Sequence, residues 1–295
     1  MISIIITAFK EPNIDKTILS ILRNKLPIDT EIIVSAPDKE TIELAKKTYY
    51  KIKIFNDPGK GKSYALNLLF KRLKSEILIL TDGDVEIGDV AIEEILTKFK
   101  DPKVGCVSGR VVSVNKKDNM IGYWSHLLAD AGAHNIRKEL YKKNSFLECT
   151  AYLFAFRGNI VKEIPLDVAE DAIIPYLFWE KKYNIAYAEN ALVYVKNPTT
   201  IKEFIKQRVR TAGAHSRLKF YYPNFPSVKS FYNEVRKGFF WAISYPKNIK
   251  ELIWTITLFP IRGYIWIKMF FLKTNNKEYK DGWERVESTK YNTNL

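Results

Sequence analysis

Cysteine and histidine are scarce in this chain of 295 residues, at two and three. Cys106 and Cys149 stand far apart, with no C-x-x-C pair and no Cys/His cluster, which excludes a zinc-binding knuckle or a dithiol redox centre. Both read as reduced, buried thiols. His126, His134 and His215 are too dispersed to chelate a metal together and read as polar surface or core-edge residues. The first residues do not read as a secretory leader. Met1-Ile2-Ser3-Ile4-Ile5-Ile6 enters an apolar run without a basic flank or a small-residue cleavage site, which places the bulk of the chain in the cytosol. No self-similar period runs through the sequence, so a repeat architecture is excluded.

What is abundant is apolar and basic. Hydrophobic residues make up 46% of the chain, enough for one large α/β domain or such a domain with a short appendage. Lys and Arg number 47 against 33 Asp and Glu, a formal charge of +14 that calls for an anionic partner. Nucleic acid, an acidic lipid surface and a diphosphate all qualify. The basic residues are scattered rather than gathered in an arm or tail, which argues against a DNA-reading module.

Ile2 to Thr7, Glu31 to Ala36, Lys51 to Phe55 and Glu76 to Thr81 are short β-branched runs that read as buried parallel strands. Helical patterns lie between them, over Ile14 to Asn24, Thr41 to Tyr50 and Ser63 to Lys74. The alternation predicts right-handed crossovers into an open sheet that binds ligands beyond the carboxyl ends of its strands, just after Thr7, Ala36, Phe55 and Thr81. A strand pair is expected from Val104 to Val114, helix and loop over Asn119 to Ser145, a strand around Cys149 to Phe156 and a helix from Glu170 to Lys181. Residues 1–220 form the expected main domain. The 221–295 stretch, rich in aromatics around Pro223, Pro226, Pro246 and Pro260, forms a C-terminal helical region.

Three segments carry candidate chemistry, each with a plainer alternative. Thr81-Asp82-Gly83-Asp84 puts two carboxylates at the exit of an apolar strand, where magnesium or manganese could bridge them to phosphate oxygens; the tripeptide also suits a tight turn that caps the next helix. Asp57-Pro58-Gly59-Lys60-Gly61-Lys62-Ser63 joins a strand to a helix and lets amides and lysines approach phosphate, yet its spacing is not that of a P-loop, and an ordinary βα loop has the same composition. Ala169-Glu170-Asp171 opens a helix, either as a dipole complement or as a general base. Lys206-Gln207-Arg208-Val209-Arg210, taken alone, reads as a solvated helical face.

Taken in order, Ile4-Ile5-Ile6-Thr7-Ala8-Phe9, Gly61-Lys62-Ser63-Tyr64-Ala65-Leu66-Asn67, Asp82-Gly83-Asp84, Val107-Ser108-Gly109-Arg110, Glu170-Asp171 and Gln207-Arg208-Val209-Arg210 make the chain resemble the inverting family-2 glycosyltransferases over residues 1 to roughly 215. The resemblance implies an α/β fold of the GT-A type, a Rossmann-like nucleotide-diphospho-sugar transferase with a mixed sheet flanked by helices. It implies further that Thr7, Phe9 and Asp38 lie at the base, although Ala36-Pro37-Asp38 departs from the family's Asp-Asp-Gly-Ser turn. Lys62 would sit near the base or phosphates, Asp82 at the ribose side and Asp84 on a magnesium or manganese ion. Asp171, with Glu170 beside it, would deprotonate the acceptor hydroxyl. Gln207 and Arg210 match the start of the Gln-x-x-Arg-Trp signature of membrane polysaccharide synthases and would hold the diphosphate. By its position in the sequence alone, His215 follows Arg210 closely enough to contact phosphate. Position 211 is Thr, which removes the indole that would stack on a sugar in processive synthesis.

The expected reaction moves a sugar from a nucleoside diphosphate donor, UDP-linked ahead of GDP-linked, to a lipid-linked or saccharide hydroxyl, with nucleic acid not among the partners. The alternatives are transfer to a polyprenyl phosphate, or a non-catalytic protein that binds anionic lipid or nucleic acid. Leu252 to Leu272 is long and apolar, but Arg262, Lys268, Pro260 and Gly263 interrupt it. Two short helices lying at a membrane surface are expected, with Trp241, Trp254, Trp266, Tyr245 and Tyr264 at the headgroups; packing on the main domain is the alternative. The ending from Gly282 to Lys290 resembles the tail that follows the membrane helices of some synthases. These features place the protein at the cytosolic face of the cell membrane.

Overall fold

The computed structural model describes residues 1–226 and 238–274, together with Thr289. Eight strands form one sheet in the order β3-β2-β1-β4-β7-β6-β8-β5. They are β1 (Ile2–Thr7), β2 (Thr30–Ala36), β3 (Lys53–Asn56), β4 (Ile77–Asp82), β5 (Val85–Ile87), β6 (Val104–Ser113), β7 (Leu153–Arg157) and β8 (Asn184–Val195). The four N-terminal strands β3, β2, β1 and β4 are parallel, as their β-branched runs predict. β7 runs antiparallel to both β4 and β6, so the sheet is mixed.

Every residue of β1 is buried because both faces of the sheet are covered. Ile4 and Ile6 join one core with Ile14, Ile18 and Ile21 of α1 (Ile14–Leu22), whose i, i+4, i+7 spacing lines one helical face. Ile5 joins the other core with Leu66 and Phe70 of α3 (Lys62–Arg72) and Ile173 of α7 (Glu170–Glu180). Of the remaining helices, α2 spans Lys39–Thr48 and α4 spans Ala91–Lys98. Asn119 to Ser145 resolves into α5 (Met120–Leu127), a π-helical segment (Leu128–His134) and α6 (Asn135–Lys142).

Val104 to Val114 is not the strand pair its pattern suggested. It forms the single long strand β6, whose register against β8 shifts between Ser108 and Arg110. The extra residues between Tyr187 and Leu192 of β8 are accommodated there, so one strand pairs in parallel with two stretches of its partner.

The C-terminal region corrects the sequence reading in a second place. After α8 (Ile201–Tyr221) and the short α9 (Phe239–Ile243), a single helix α10 runs over Ile249–Thr274 without ending at Pro260. Pro260 is exposed on the outer face, while Thr255, Leu258, Ile265 and Met269 are buried on the inner one. Leu258 and Ile265 pack with Trp124 of α5 and Phe204 of α8, and that contact holds the helix together across a proline that costs about 3 kcal/mol in a free helix. The aromatics divide between packed and exposed positions. Trp254 packs on Tyr123 and accepts the Trp124 indole N–H through its carbonyl, and the Tyr245 hydroxyl donates to Asp130, whereas Trp241 and Tyr264 face outward. No described helix is long and apolar enough to cross a membrane. Apart from Thr289, the Gly282 to Lys290 ending lies outside the described residues.

Candidate active site

The chain turns back on itself at β1. β2 and β3 are laid down on one side and β4 on the other, so the carboxyl ends of β1 and β4 flank a switch point where open α/β sheets take ligands. Thr7 and Asp82 are register partners across it. The Thr7 hydroxyl donates to Asp82 Oδ1 at 3.0 Å, and the Gly83 amide donates to the Thr7 carbonyl at 2.9 Å. A Cβ at position 83 would stand 2.7 Å from Ala8 Cβ and 2.9 Å from Ile14 Cδ1, which is why only glycine fits between the two acids. From α1, the Thr17 hydroxyl points at the carbonyls of Gly83 (2.8 Å) and Val85 (2.6 Å) and clamps the turn from behind. The turn leads into strand β5 and caps no helix.

Lys62 opens α3 after Gly61, which takes a φ of 105° that L side chains rarely adopt. Its Nζ lies 2.6 Å from Asp82 Oδ1 and 2.6 Å from Glu170 Oε1. The glycine-rich loop therefore delivers its lysine to two carboxylates. Burial opposes the charge on Lys62, but Asp82 and Glu170 outweigh it and push its pKa up. Burial raises the pKa of Glu170, Lys62 opposes the shift, and the charges of Asp171 and Asp82 reinforce it. Burial also lifts Asp84, and the neighbouring Asp82 charge carries it to about 7 against the pull of Lys62 and Arg210. Tyr152, pushed up to about 12 by burial and then by Asp84 and Asp82, lies in the same field, where Arg208 and Arg210 act the other way.

The helix that starts with Glu170 and Asp171 is tied to the segment before β7 by the Cys149 amide, which donates to the Asp171 carbonyl at 2.9 Å. On α8, Arg210 reaches the Asp84 field, and Gln207 sits half-buried three residues before it. His215, five residues after Arg210, turns inward. It is buried, with Nδ1 3.1 Å from Glu148 Oε2 and Nε2 3.9 Å from Asp171 Oδ1. Lys206 to Arg210 is accordingly no fully solvated face, since Gln207, Arg208, Val209 and Arg210 are all half-buried.

Thr7, Lys62, Asp82, Asp84, Glu170, Asp171 and Arg210 thus share one electrostatic cluster assembled from β1, α3, β4, α7 and α8. Phe9 and Asp38 lie beside it, at the exits of β1 and β2. Asp38 caps α2 through the Thr41 amide (2.9 Å) and ties the Lys10 amide (2.8 Å); burial would raise its pKa, but these bonds hold it low. Thr17, Glu148 and Tyr152 were not singled out from the sequence, and no spacing there could have found them, because each reaches the site through a different element.

Among the described residues, no three or more His, Cys, Asp or Glu side chains form a cage for a metal ion. The donor set at the turn is Asp84 with Asp82 beside it. A half-buried carboxyl lifted to about 7 beside a second acid would suit a hard divalent cation, which takes oxygen ligands.

Residues 1–214 match the family model described as glycosyltransferase like family 2. The chain is 25% identical over 229 residues to the poly-beta-1,6-N-acetyl-D-glucosamine synthase of Staphylococcus epidermidis, a match covering 74% of this chain and 55% of that protein. It is 21% identical over 175 residues to an N-acetylglucosaminyltransferase of Rhizobium meliloti, covering 54% of this chain and 40% of the other. The chain spans about half the length of the curated relatives it matches. A crystal structure of TarS from S. aureus superposes with a TM-score of 0.48 at 13% identity, over 85% of this chain and 46% of that one.

Proposed function

The chain belongs to glycosyltransferase family 2, with a mixed α/β sheet of the GT-A type, and from that premise we propose that it transfers N-acetylglucosamine from a UDP donor to a saccharide or lipid-linked hydroxyl with inversion. The observation that supports this reading is the double ion pair of Lys62, which joins the Asp82-Gly83-Asp84 turn to Glu170, the chain neighbour of the base candidate Asp171. The N-acetylglucosamine assignment draws on the names of the two curated relatives.

In this reading Thr7, Phe9 and Asp38 wall the base, and Asp82, fixed by Thr7 and Lys62, meets the ribose side. Arg210 and Gln207 steady the diphosphate with positive charge and hydrogen bonds. Asp84 would hold magnesium or manganese, which when bound neutralises charge on the leaving diphosphate. Asp171 takes the acceptor's hydroxyl proton as the oxygen attacks the anomeric carbon from the side opposite the diphosphate. Lys62 keeps Glu170 from adding a free negative charge next to that base.

The outer face of α10 presents Ile253, Ile256, Tyr264, Ile267 and Phe270, flanked by exposed Lys247, Lys250 and Lys268. Apolar residues bordered by lysines suit the surface of an acidic bilayer, and we place the enzyme peripherally at the cytosolic face.

The test is release of free nucleotide from UDP-N-acetylglucosamine, and from a panel of other UDP and GDP sugars, with manganese or magnesium and with or without membrane extract. Asp171→Asn should abolish turnover and leave UDP binding intact. Equal turnover by that variant, or neither binding nor turnover across the panel, would overturn the assignment.

A further inference from the structure

One buried titratable pair, Glu148 and His215, has no part in the roles given above. α8 carries the His215 imidazole inward until it is 7% exposed, between Glu148 on the segment before β7, itself 2% exposed, and Asp171 on the first turn of α7. Three elements far apart in sequence thus place acid, imidazole and acid in a row. Arg137 fixes the Glu148 end of that row, its Nε donating to the Glu148 carbonyl at 2.9 Å and its Nη2 to the Cys149 carbonyl at 3.1 Å.

The chemistry of the row is directional. The His215 Nδ1 lies 3.1 Å from Glu148 Oε2 but off the line of a hydrogen bond, and a rotation of the ring would bring its N–H onto that buried carboxylate. A proton on Nδ1 fixes the tautomer, and the lone pair on Nε2 then faces Asp171. At 3.9 Å the Nε2 to Oδ1 separation exceeds a hydrogen bond, and an O–H formed on Asp171 would draw it shorter.

We propose that His215 is the positioning residue of the base Asp171 and the second holder of the acceptor's proton. This rests on the reading of Asp171 given above. The acceptor O–H bond breaks as an Asp171 O–H bond forms, while the new bond to the anomeric carbon replaces the bond to the diphosphate. The Asp171 O–H bond then breaks as His215 Nε2–H forms. Asp171 returns to its ionised state, and the imidazolium rests between two carboxylates until it gives the proton to water after product leaves. A lone aspartate would have to lose that proton directly from a buried position.

The first test needs no substrate. Nitrogen-15 spectra of the whole chain at neutral pH contain three histidines, and His215→Gln identifies the signal of interest. The expected result is an imidazole protonated on Nδ1 and bare on Nε2. The opposite tautomer, or an imidazole already protonated on both nitrogens and so unable to accept a proton, would overturn the proposal.

The second test measures UDP release from UDP-N-acetylglucosamine with manganese. His215→Gln, which keeps polar atoms but cannot accept the proton, should lower kcat about 10- to 100-fold and leave KM for the donor and the melting temperature near wild type. A kcat within threefold of wild type, or a loss matched by a fall in melting temperature, would overturn it. Asp171→Asn is the control. If that variant is inactive while His215→Gln is active, the relay alone fails; if it is active, the base reading itself fails.

Discussion

Replacing Asp84 by Asn should stabilise the metal-free protein, against the usual outcome of altering a buried polar residue. Its carboxyl sits at about 7 in the folded chain, against an ordinary value of 3.8, because burial and the Asp82 charge both resist ionisation. Folded-state protonation is then favoured over unfolded, so the contribution of Asp84 to stability is near zero below about pH 4. It becomes progressively unfavourable as the pH rises through that interval, and levels off above about 7. At about 1.36 kcal/mol per pH unit the interval corresponds to about 4 kcal/mol. Asp84 is only half-buried, so screening and relaxation reduce this to about 2 kcal/mol. An isosteric amide removes the charge and that penalty with it. In chelator at pH 8, Asp84→Asn should melt about 4 °C or more above wild type, and near pH 4 the two should coincide. Added manganese should raise the wild-type melting temperature in proportion to the logarithm of its concentration and leave the variant unmoved. Equal or lower stability of the variant at pH 8 in chelator would refute the electrostatic account of the turn. An equal response of both proteins to manganese would refute Asp84 as the metal's ligand.

Lys62→Met should cost about 3 to 5 kcal/mol in denaturant unfolding, because it leaves Asp82 and Glu170 buried without their shared cation; adding Glu170→Gln should recover part of that loss, and a neutral single variant would show the pair to be dispensable. Thr17→Val removes the hydroxyl that faces two carbonyls of the acid turn, with an expected loss of about 1 to 2 kcal/mol and weaker UDP binding in manganese titrations. The double variant Ile256→Glu and Ile267→Glu on the outer face of α10 should reduce co-sedimentation with acidic vesicles about tenfold or more without changing the melting temperature. Unchanged sedimentation would argue for a protein partner on that face.

The N-terminal half of the fold was legible because its signals are local. Ile2 to Thr7 and Glu76 to Thr81 are β-branched runs too short for helices, and helical patterns such as Ile14 to Asn24 and Ser63 to Lys74 alternate with them, so a parallel sheet followed. Asp82 and Asp84 were legible as acids at a strand exit for the same reason. Local reasoning failed at Val104 to Val114, where one long strand with a register shift replaced two short ones, and at Pro260, where propensity argued for a break that packing overrode. The acids beside His215 were not legible, because its nearness to Arg210 in sequence says nothing about which residues of other elements meet its side chain.

The sequence by itself determined the four parallel strands of the N-terminal half, the two acids at the exit of β4, and the large positive charge of the chain. Backbone preference, side-chain periodicity and composition act within a few residues and can be read one segment at a time. Only the tertiary structure decided that Lys62 meets both Asp82 and Glu170, that Asp171 has an imidazole at its back, and that α10 turns half of its apolar surface inward. Those meetings depend on the order in which strands join the sheet and on which helix covers which face, quantities fixed by burial over the whole molecule and by no stretch of it alone.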